Sequence, residues 1–491
     1  MRARLEKRIA LILLLLGAGL RLRAFFSGRG LWGDEAHLAL AVIKTPFVKL
    51  SEALYNLQAA PLGFLYLSKA MVIQLGQSEP ILRLFPLLTG LFLLGVAYGV
   101  AKEVRLPVLA GLFFLLLLAI HPTLVYYSSE FKPYGSDAFF AFLLLYLALR
   151  VHRLDTFLSF SFFFIISSIS LFFSFPAVFV FGGLIGGLLI SRYRQKRSVM
   201  RFGIASLGVL FLFLAIKVYH LDHIRHASIL TDFWANSYPP LSISATAIKF
   251  WFFWPFQFLS NPGDFLFKGL WALLFLCGSY FLWKENREHA GLLLLPFVAA
   301  IGAAILHLYP FQARLALYLL PFFLFVAAVG AQGLYRLLRE KGRFLSIVLI
   351  VLILFDPVQS AVRRFVTPHQ PDNLKPVMEY VAAARQNSDR IYVYYGAAST
   401  AEYYALQLPA LQGLQFGHEH RQDIRAYEPE IDSLFNQPGR TWMVFTHAYT
   451  AHEMNERDFI VMLAEKRAKR LDYFHAFAGA DGYLFESAGQ P

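Results

Sequence analysis

One cysteine, Cys277, stands in 491 residues, so a disulfide framework is excluded and the thiol, inside an apolar run, is read as packing. Charge is scarce too. Only 16% of the residues are charged, while 57% are hydrophobic and 16% aromatic, and the mean hydropathy is +0.52. That is more apolar material than a soluble chain can bury, so the sequence reads as a polytopic membrane protein.

Spans need roughly 20 predominantly apolar residues, and about eleven segments qualify or nearly do. They lie near 9–27, 80–101, 106–125, 137–151, 156–173, 176–190, 202–219, 266–283, 290–308, 313–335 and 343–357. No small-x-small cleavage site follows the first run, which is therefore read as an anchor although Arg2, Arg4, Lys7 and Arg8 precede it. The formal net charge of +13 would fit a nucleic-acid partner, but the placement of the basic residues argues against one. Arg150 to Arg153, Arg192 to Arg197 and Arg336 to Arg343 follow alternate crossings, as the positive-inside rule requires. An odd number of spans with a cytoplasmic N-terminus then sends the C-terminus outside.

Three stretches lie outside the apolar runs. Residues 27–79 contain expected interfacial helices at 34–43 and 47–57 and an apolar segment at 62–75. Residues 220–265 are rich in aromatics, among them Trp234, Trp251, Trp254 and Phe256, which suit a membrane interface or a lipid-lined groove. The tail, 359–491, alternates patterns: Arg390 to Tyr395 and Thr441 to Phe445 read as strands, Thr400 to Leu406 and Glu453 to Lys469 as helices. A small α/β domain is expected there. At roughly 130 residues it can hold its own core. The tail shows no nucleophile elbow, phosphate-binding glycine loop or metal-ligand spacing, so it is read as a helper in acceptor binding or stability.

The polar motifs cluster at span ends. Gly33-Asp34-Glu35-Ala36-His37 puts two carboxylates where the first helix leaves the bilayer. Tyr126-Tyr127-Ser128-Ser129-Glu130-Phe131-Lys132-Pro133-Tyr134-Gly135-Ser136-Asp137 and Tyr309-Pro310-Phe311-Gln312-Ala313-Arg314 return to that same side. Ionisable groups at such places are costly unless paired or used. Each cluster alone fits a snorkelling anchor, and the acidic pair fits a helix cap with first-turn acidity. Three on one face point to a common outer pocket.

Taken in order, Leu31-Trp32-Gly33-Asp34-Glu35-Ala36, Leu82-Arg83-Leu84-Phe85-Pro86, Tyr127-Ser128-Ser129-Glu130-Phe131-Lys132-Pro133-Tyr134, and Tyr309 to Arg314 followed by Leu317-Tyr318-Leu319-Leu320-Pro321 carry a resemblance. They resemble the bacterial GT-C glycosyltransferases, in the family-39-like branch of protein O-mannosyltransferases and the aminoarabinose transferase of lipid A. The resemblance covers roughly residues 1–340. Related chains often have His-x-Pro-Pro or His-Pro-Pro where this one has Gln58-Ala59-Ala60-Pro61, and Arg where it has Lys132, which keeps the charge without the bidentate fork.

The resemblance implies an α-helical polytopic GT-C protein, 1–358, with an extracytoplasmic α/β domain, 359–491, in a bacterial cytoplasmic membrane. It implies transfer of a sugar from a polyprenyl-phosphate carrier to a glycolipid, polysaccharide or protein on the outer face. Such chemistry needs a base for the acceptor hydroxyl and cations for the departing phosphate. Asp34 is the expected base, with Glu35 as the alternative or as a partner orienting Asp34 or a metal. Lys132 and Arg314 are the expected phosphate ligands, with Arg83 a further candidate. Tyr134 and Tyr309 would hold phosphate or sugar; Glu130 and Asp137 would pair with Lys132 or contact sugar hydroxyls. A divalent cation shared by Asp34 and His37 is conceivable. A lipid transporter or flippase and a non-catalytic assembly protein remain alternatives, although the charges sit at span ends rather than at the midplane where a transporter would use them.

Overall fold

The structure is a computed structural model that describes residues 2–491 except 53, 55–57, 222–233, 243, 368, 452 and 489–491. The chain divides into two compact units, residues 1–27 with 46–368 and residues 28–45 with 369–491. The expected interfacial helix at 47–57 and the aromatic stretch at 220–265 fall partly outside the described residues.

The first unit is helical. Its helices are α1 (Arg2–Phe25), α3 (Leu62–Leu75), α4 (Glu79–Glu103), α5 (Val108–Ile120), α6 (Pro122–Tyr127), α7 (Tyr134–Leu154), α8 (Phe157–Phe173), α9 (Ala177–Arg194) and α10 (Met200–Ile216). They continue with α11 (Ala245–Ser260), α12 (Lys268–Glu285), α13 (Arg287–Ile305), α14 (Leu320–Lys341) and α15 (Arg343–Val366). Every apolar segment read as a span falls on helix. The physical reason is that hydrocarbon cannot satisfy backbone N–H and C=O groups, so an apolar run must bond to itself. By length and composition, 7 helical stretches among the described residues can cross a membrane, and Leu62–Leu75, Val108–Ile120 and Phe157–Phe173 are shorter apolar helices. The last long helix runs on to Val366, past the expected end at 357.

Buried polar groups close the helix ends in this unit. The guanidinium of Arg21 on α1 donates to the Leu118 and Ala119 carbonyls at the C-terminal end of α5, each at 3.1 Å. The Asp356 carboxylate on α15 accepts from the backbone of Leu266 and Phe267 and from Trp271 Nε1, at 3.1, 3.2 and 2.7 Å, which caps the start of α12.

Helices α12 and α14 meet through two glycines. A Cβ on Gly278 would lie 1.9 Å from the Val326 carbonyl oxygen, and one on Gly330 would lie 1.9 Å from that of Leu274. Small residues permit this backbone approach, which supplies the packing that holds helices together in lipid. Gly330→Ala is therefore expected to cost about 2 kcal/mol through forced separation of the pair. Thermal unfolding of the detergent-solubilised protein reads this, and an unchanged midpoint would contradict it.

The second unit joins α2 (Gly33–Lys44) to the tail. The tail contributes α16 (Lys375–Ala384), α17 (Ala398–Ala405), α18 (Tyr427–Phe435) and α19 (Glu456–Glu465). Its strands are β1 (Arg390–Val393), β2 (Leu414–Phe416), β3 (Gly439–Phe445), β4 (Thr450–Ala451), β5 (Met454–Asn455), β6 (Lys469–Ala476) and β7 (Ala480–Ser487). The main sheet has the order β2-β1-β3-β7-β6. β1 pairs parallel with β2 and β3, whereas β7 is antiparallel to both β3 and β6. α17 and α18 make the crossovers that parallel pairing requires. The expected helix at 453–469 is shorter, because β5 precedes it and β6 begins at Lys469. Tyr392, Tyr394, Tyr427, Ile431, Phe445, Ile460 and Phe485 build its core.

Candidate functional site

The two acidic residues of the Gly33-Asp34-Glu35 motif have different surroundings. α2 starts behind Trp32, which stands at the N-cap, so Asp34 and Glu35 occupy the first turn and neither is the cap. Helical periodicity turns Glu35 into the α/β unit, where it is fully buried 3.8 Å from the buried Arg29 guanidinium. Asp34 is only half-buried. A first-turn carboxylate sits favourably at the positive end of the helix, and Asp34 does so with its Oδ2 buried and the residue as a whole half-buried.

α2 is held by the tail. His37 Nδ1 lies 2.9 Å from Ser399 Oγ, the Leu31 N–H donates to Tyr404 Oη at 2.9 Å, and Lys44 pairs with Glu402. Among the described residues, Asp34, Glu35 and His37 do not bring three metal-ligand atoms together.

His447, which the sequence reading passed over, belongs to the surroundings of Asp34. Its Nδ1 is 3.0 Å from Asp372 Oδ2. The hydrogen bond to Asp372, then the negative charges of Asp372 and Asp34, raise the imidazole above its ordinary pKa against the opposing effect of burial. The stability this lends is complete below the unfolded-state pKa of His447 and fades as pH rises through the raised folded value.

Deeper in the same unit the buried Glu456 takes hydrogen bonds from three phenols: Tyr394, Tyr395 at 2.8 Å and Tyr427 at 3.2 Å. Burial pushes all three phenols upward, so they remain donors across the physiological range.

The remaining candidates lie in the helical unit. The turn between α6 and α7 is closed locally, with Ser128 Oγ donating to the Val125 carbonyl at 2.6 Å and Ser129 Oγ to that of Tyr126 at 3.0 Å. That turn carries Glu130, fully buried, and Lys132, which is buried and donates to Gln58 Oε1 at 2.9 Å. Gln58 opens the Gln58-Ala59-Ala60-Pro61 stretch, and its contact with Lys132 was not legible from sequence spacing. Asp137 is buried in the first turn of α7. Arg83 is 3% exposed, so it does not snorkel as a basic residue at the start of a span commonly would.

The guanidinium of Arg314 lies 5.5 Å from the Tyr134 ring centroid, a cation–π contact. Arg314 also lines a polar cavity of about 390 Å³ with Tyr127, Trp234, Ser237, Asn261 and Gln312. Tyr134 and Tyr127 meet edge to face at 5.5 Å, and Tyr309 packs against Tyr318 at 6.4 Å. Burial and the nearby Asp137 push the Tyr309 phenol well above its ordinary value, which keeps it a donor. The cavity therefore offers a cation, phenol and indole donors and amides, a set suited to an anionic oxygen ligand with attached hydroxyls.

No protein-family model and no curated sequence matches the chain. Solved structures do, over nearly its whole length. The chain has the GT-C fold, with a polytopic helical unit and a small C-terminal sheet domain. It is similar to ArnT from Cupriavidus metallidurans bound to undecaprenyl phosphate, at 13% identity and a TM-score of 0.54, with 100% of this chain and 99% of that one covered. It is also similar to the apo oligosaccharyltransferase of Archaeoglobus fulgidus, at 12% identity and a TM-score of 0.55, covering 97% of this chain and 74% of that one. The oligosaccharyltransferase AglB from that organism, in complex with an inhibitory peptide and a dolichol-phosphate, gives a TM-score of 0.53 at 11% identity, with 96% and 74% covered.

Proposed function

We propose that this chain is a glycosyltransferase of the bacterial cytoplasmic membrane, moving a sugar from a polyprenyl-phosphate carrier to an acceptor hydroxyl at the outer face. The observation that carries the proposal is the coextensive likeness to a protein bound to undecaprenyl phosphate, which spans both units and leaves neither chain with a large unmatched part. A dolichol-phosphate complex among the similar structures points to the same class of lipid.

In this reading Asp34 takes the proton of the acceptor hydroxyl as its oxygen bonds to the anomeric carbon. The carbon–oxygen bond to the carrier phosphate breaks, and the phosphate leaves with an added negative charge that Lys132 and Arg314 stabilise. The negative charge of Asp34 is among those that hold the His447 imidazole above its ordinary pKa. Tyr309 and Tyr134 donate hydrogen bonds to phosphate or sugar oxygens, and Glu130 and Asp137 shape that environment. Arg83 adds positive charge from α4. Glu35 serves the fold of the α/β unit through Arg29.

The test uses the full chain in sealed vesicles of known orientation, with a radiolabelled polyprenyl-phosphate sugar and an extract of membrane acceptors. Acceptor-dependent loss of sugar from the carrier, only when the acceptor is at the extracytoplasmic face, is the expected result. Movement of the intact lipid across the bilayer with no sugar transferred would replace the enzyme by a flippase.

A further inference from the structure

We propose that the α/β unit holds a divalent transition metal of the zinc class on His418, His420 and Glu430. This site is separate from the residues assigned to glycosyl transfer and does not depend on that assignment. The sequence reading found no metal-ligand spacing in the tail, because His-x-His followed by a glutamate ten residues later matches no common ligand pattern. The fold brings the three together: β2 ends at Phe416, the chain turns at Gly417 into the two histidines, and α18 presents Glu430 from its first turns.

The geometry is that of a ligand set. His420 Nε2 lies 2.9 Å and His418 Nδ1 3.3 Å from the same carboxylate oxygen, Glu430 Oε2, and the three ligand atoms lie within 4.8 Å of one another. Zinc bonds nitrogen and oxygen at about 2.0–2.2 Å, so two ligands of a tetrahedral ion stand about 3.3 Å apart. The two nitrogen–oxygen separations need only a few tenths of an ångström of adjustment, and the two ring nitrogens lie within 4.8 Å of each other. Two imidazoles and a carboxylate form the donor set of an open zinc site, with a fourth position left for water or an anionic oxygen.

The surroundings fix the carboxylate as ligands' outer partners do. Glu430 Oε1 accepts from Tyr392 Oη at 2.7 Å, leaving Oε2 to face the histidines. A Cβ at position 417 would fall 2.2 Å from Tyr392 Oη and 2.8 Å from Glu430 Oε1, so glycine alone lets the histidine segment pass this close. His420 packs its ring edge to face against Tyr427 at 4.9 Å, which sets its orientation. The His418 side chain is 79% exposed, so the open position faces solvent and an ion has a way in. Bound there, the metal ties the segment after β2 to α18.

The full chain, stripped with chelator and returned to buffer in detergent, is titrated with zinc and separately with cobalt. We expect one equivalent of metal per chain that is absent from His418→Ala and His420→Ala, and a visible cobalt spectrum of the tetrahedral type that both variants lose. Tyr392→Phe should bind at the same stoichiometry with roughly 10- to 100-fold lower affinity. His418→Ala changes an exposed side chain, so an unfolded variant does not confound the loss, and unchanged thermal unfolding without metal verifies this. Equal metal content and equal cobalt spectra in wild type and in both histidine variants, or no bound metal in the wild type, would overturn the site.

Discussion

Asp34→Asn is expected to lower the rate of sugar transfer about 100-fold or more, while donor binding largely survives. The substitution keeps the shape of the side chain and removes only its charge. A helix-capping explanation of any loss does not apply, since Trp32 occupies the N-cap and Asn and Asp rank alike as caps in any case. Glu35→Gln provides the contrast. It takes the charge from a carboxylate that is fully buried beside Arg29, so its main effect should be a lower thermal midpoint of the α/β unit rather than a lower rate per folded molecule. Initial rates with a saturating lipid-linked sugar, normalised to folded protein, separate the two. A wild-type rate from Asp34→Asn would remove this residue from the chemistry.

Loss of the positive charge at Lys132 or Arg314 should weaken binding of the carrier phosphate by about 1.5 to 3 kcal/mol, which is roughly 10- to 150-fold in affinity. Lys132→Met and Arg314→Gln suit the test because they retain most of each side-chain stem. Arg314→Lys is informative as well: a point charge replaces a planar fork in cation–π contact with Tyr134, so a partial loss is expected if Arg314 holds phosphate through two hydrogen bonds. Equilibrium binding of undecaprenyl phosphate to the detergent-solubilised protein measures all three. Wild-type affinity in both charge-removal variants would leave Arg314 as a packing partner of Tyr134 and Lys132 as a tie to Gln58.

Much of the architecture could be read without coordinates. An apolar run of span length has few alternatives to helix. Strands β1 and β3 were legible because their buried runs are flanked by polar turns. The β6-β7 hairpin was not, since Lys469, Arg470 and Asp472 disguise a strand with an exposed face. In the candidate site, residue types marked a short set of ionisable and aromatic positions. They could not distinguish Asp34 from Glu35, which are adjacent in the chain and equally acidic, nor mark Arg83 as buried.

By itself the sequence determined the helical membrane class and the α/β character of the tail. Each of these depends on local composition and periodicity, which act over a few turns or strands. The tertiary structure alone decided that α2 belongs with the tail, through contacts such as His37 with Ser399, 362 positions apart. It also decided that Glu35 is fully buried while Asp34 is half-buried, that Gln58 meets Lys132, and that His418, His420 and Glu430 converge. These depend on which faces pack together, and packing between distant segments is settled by the shape and burial of the whole unit, which no short window of residues contains.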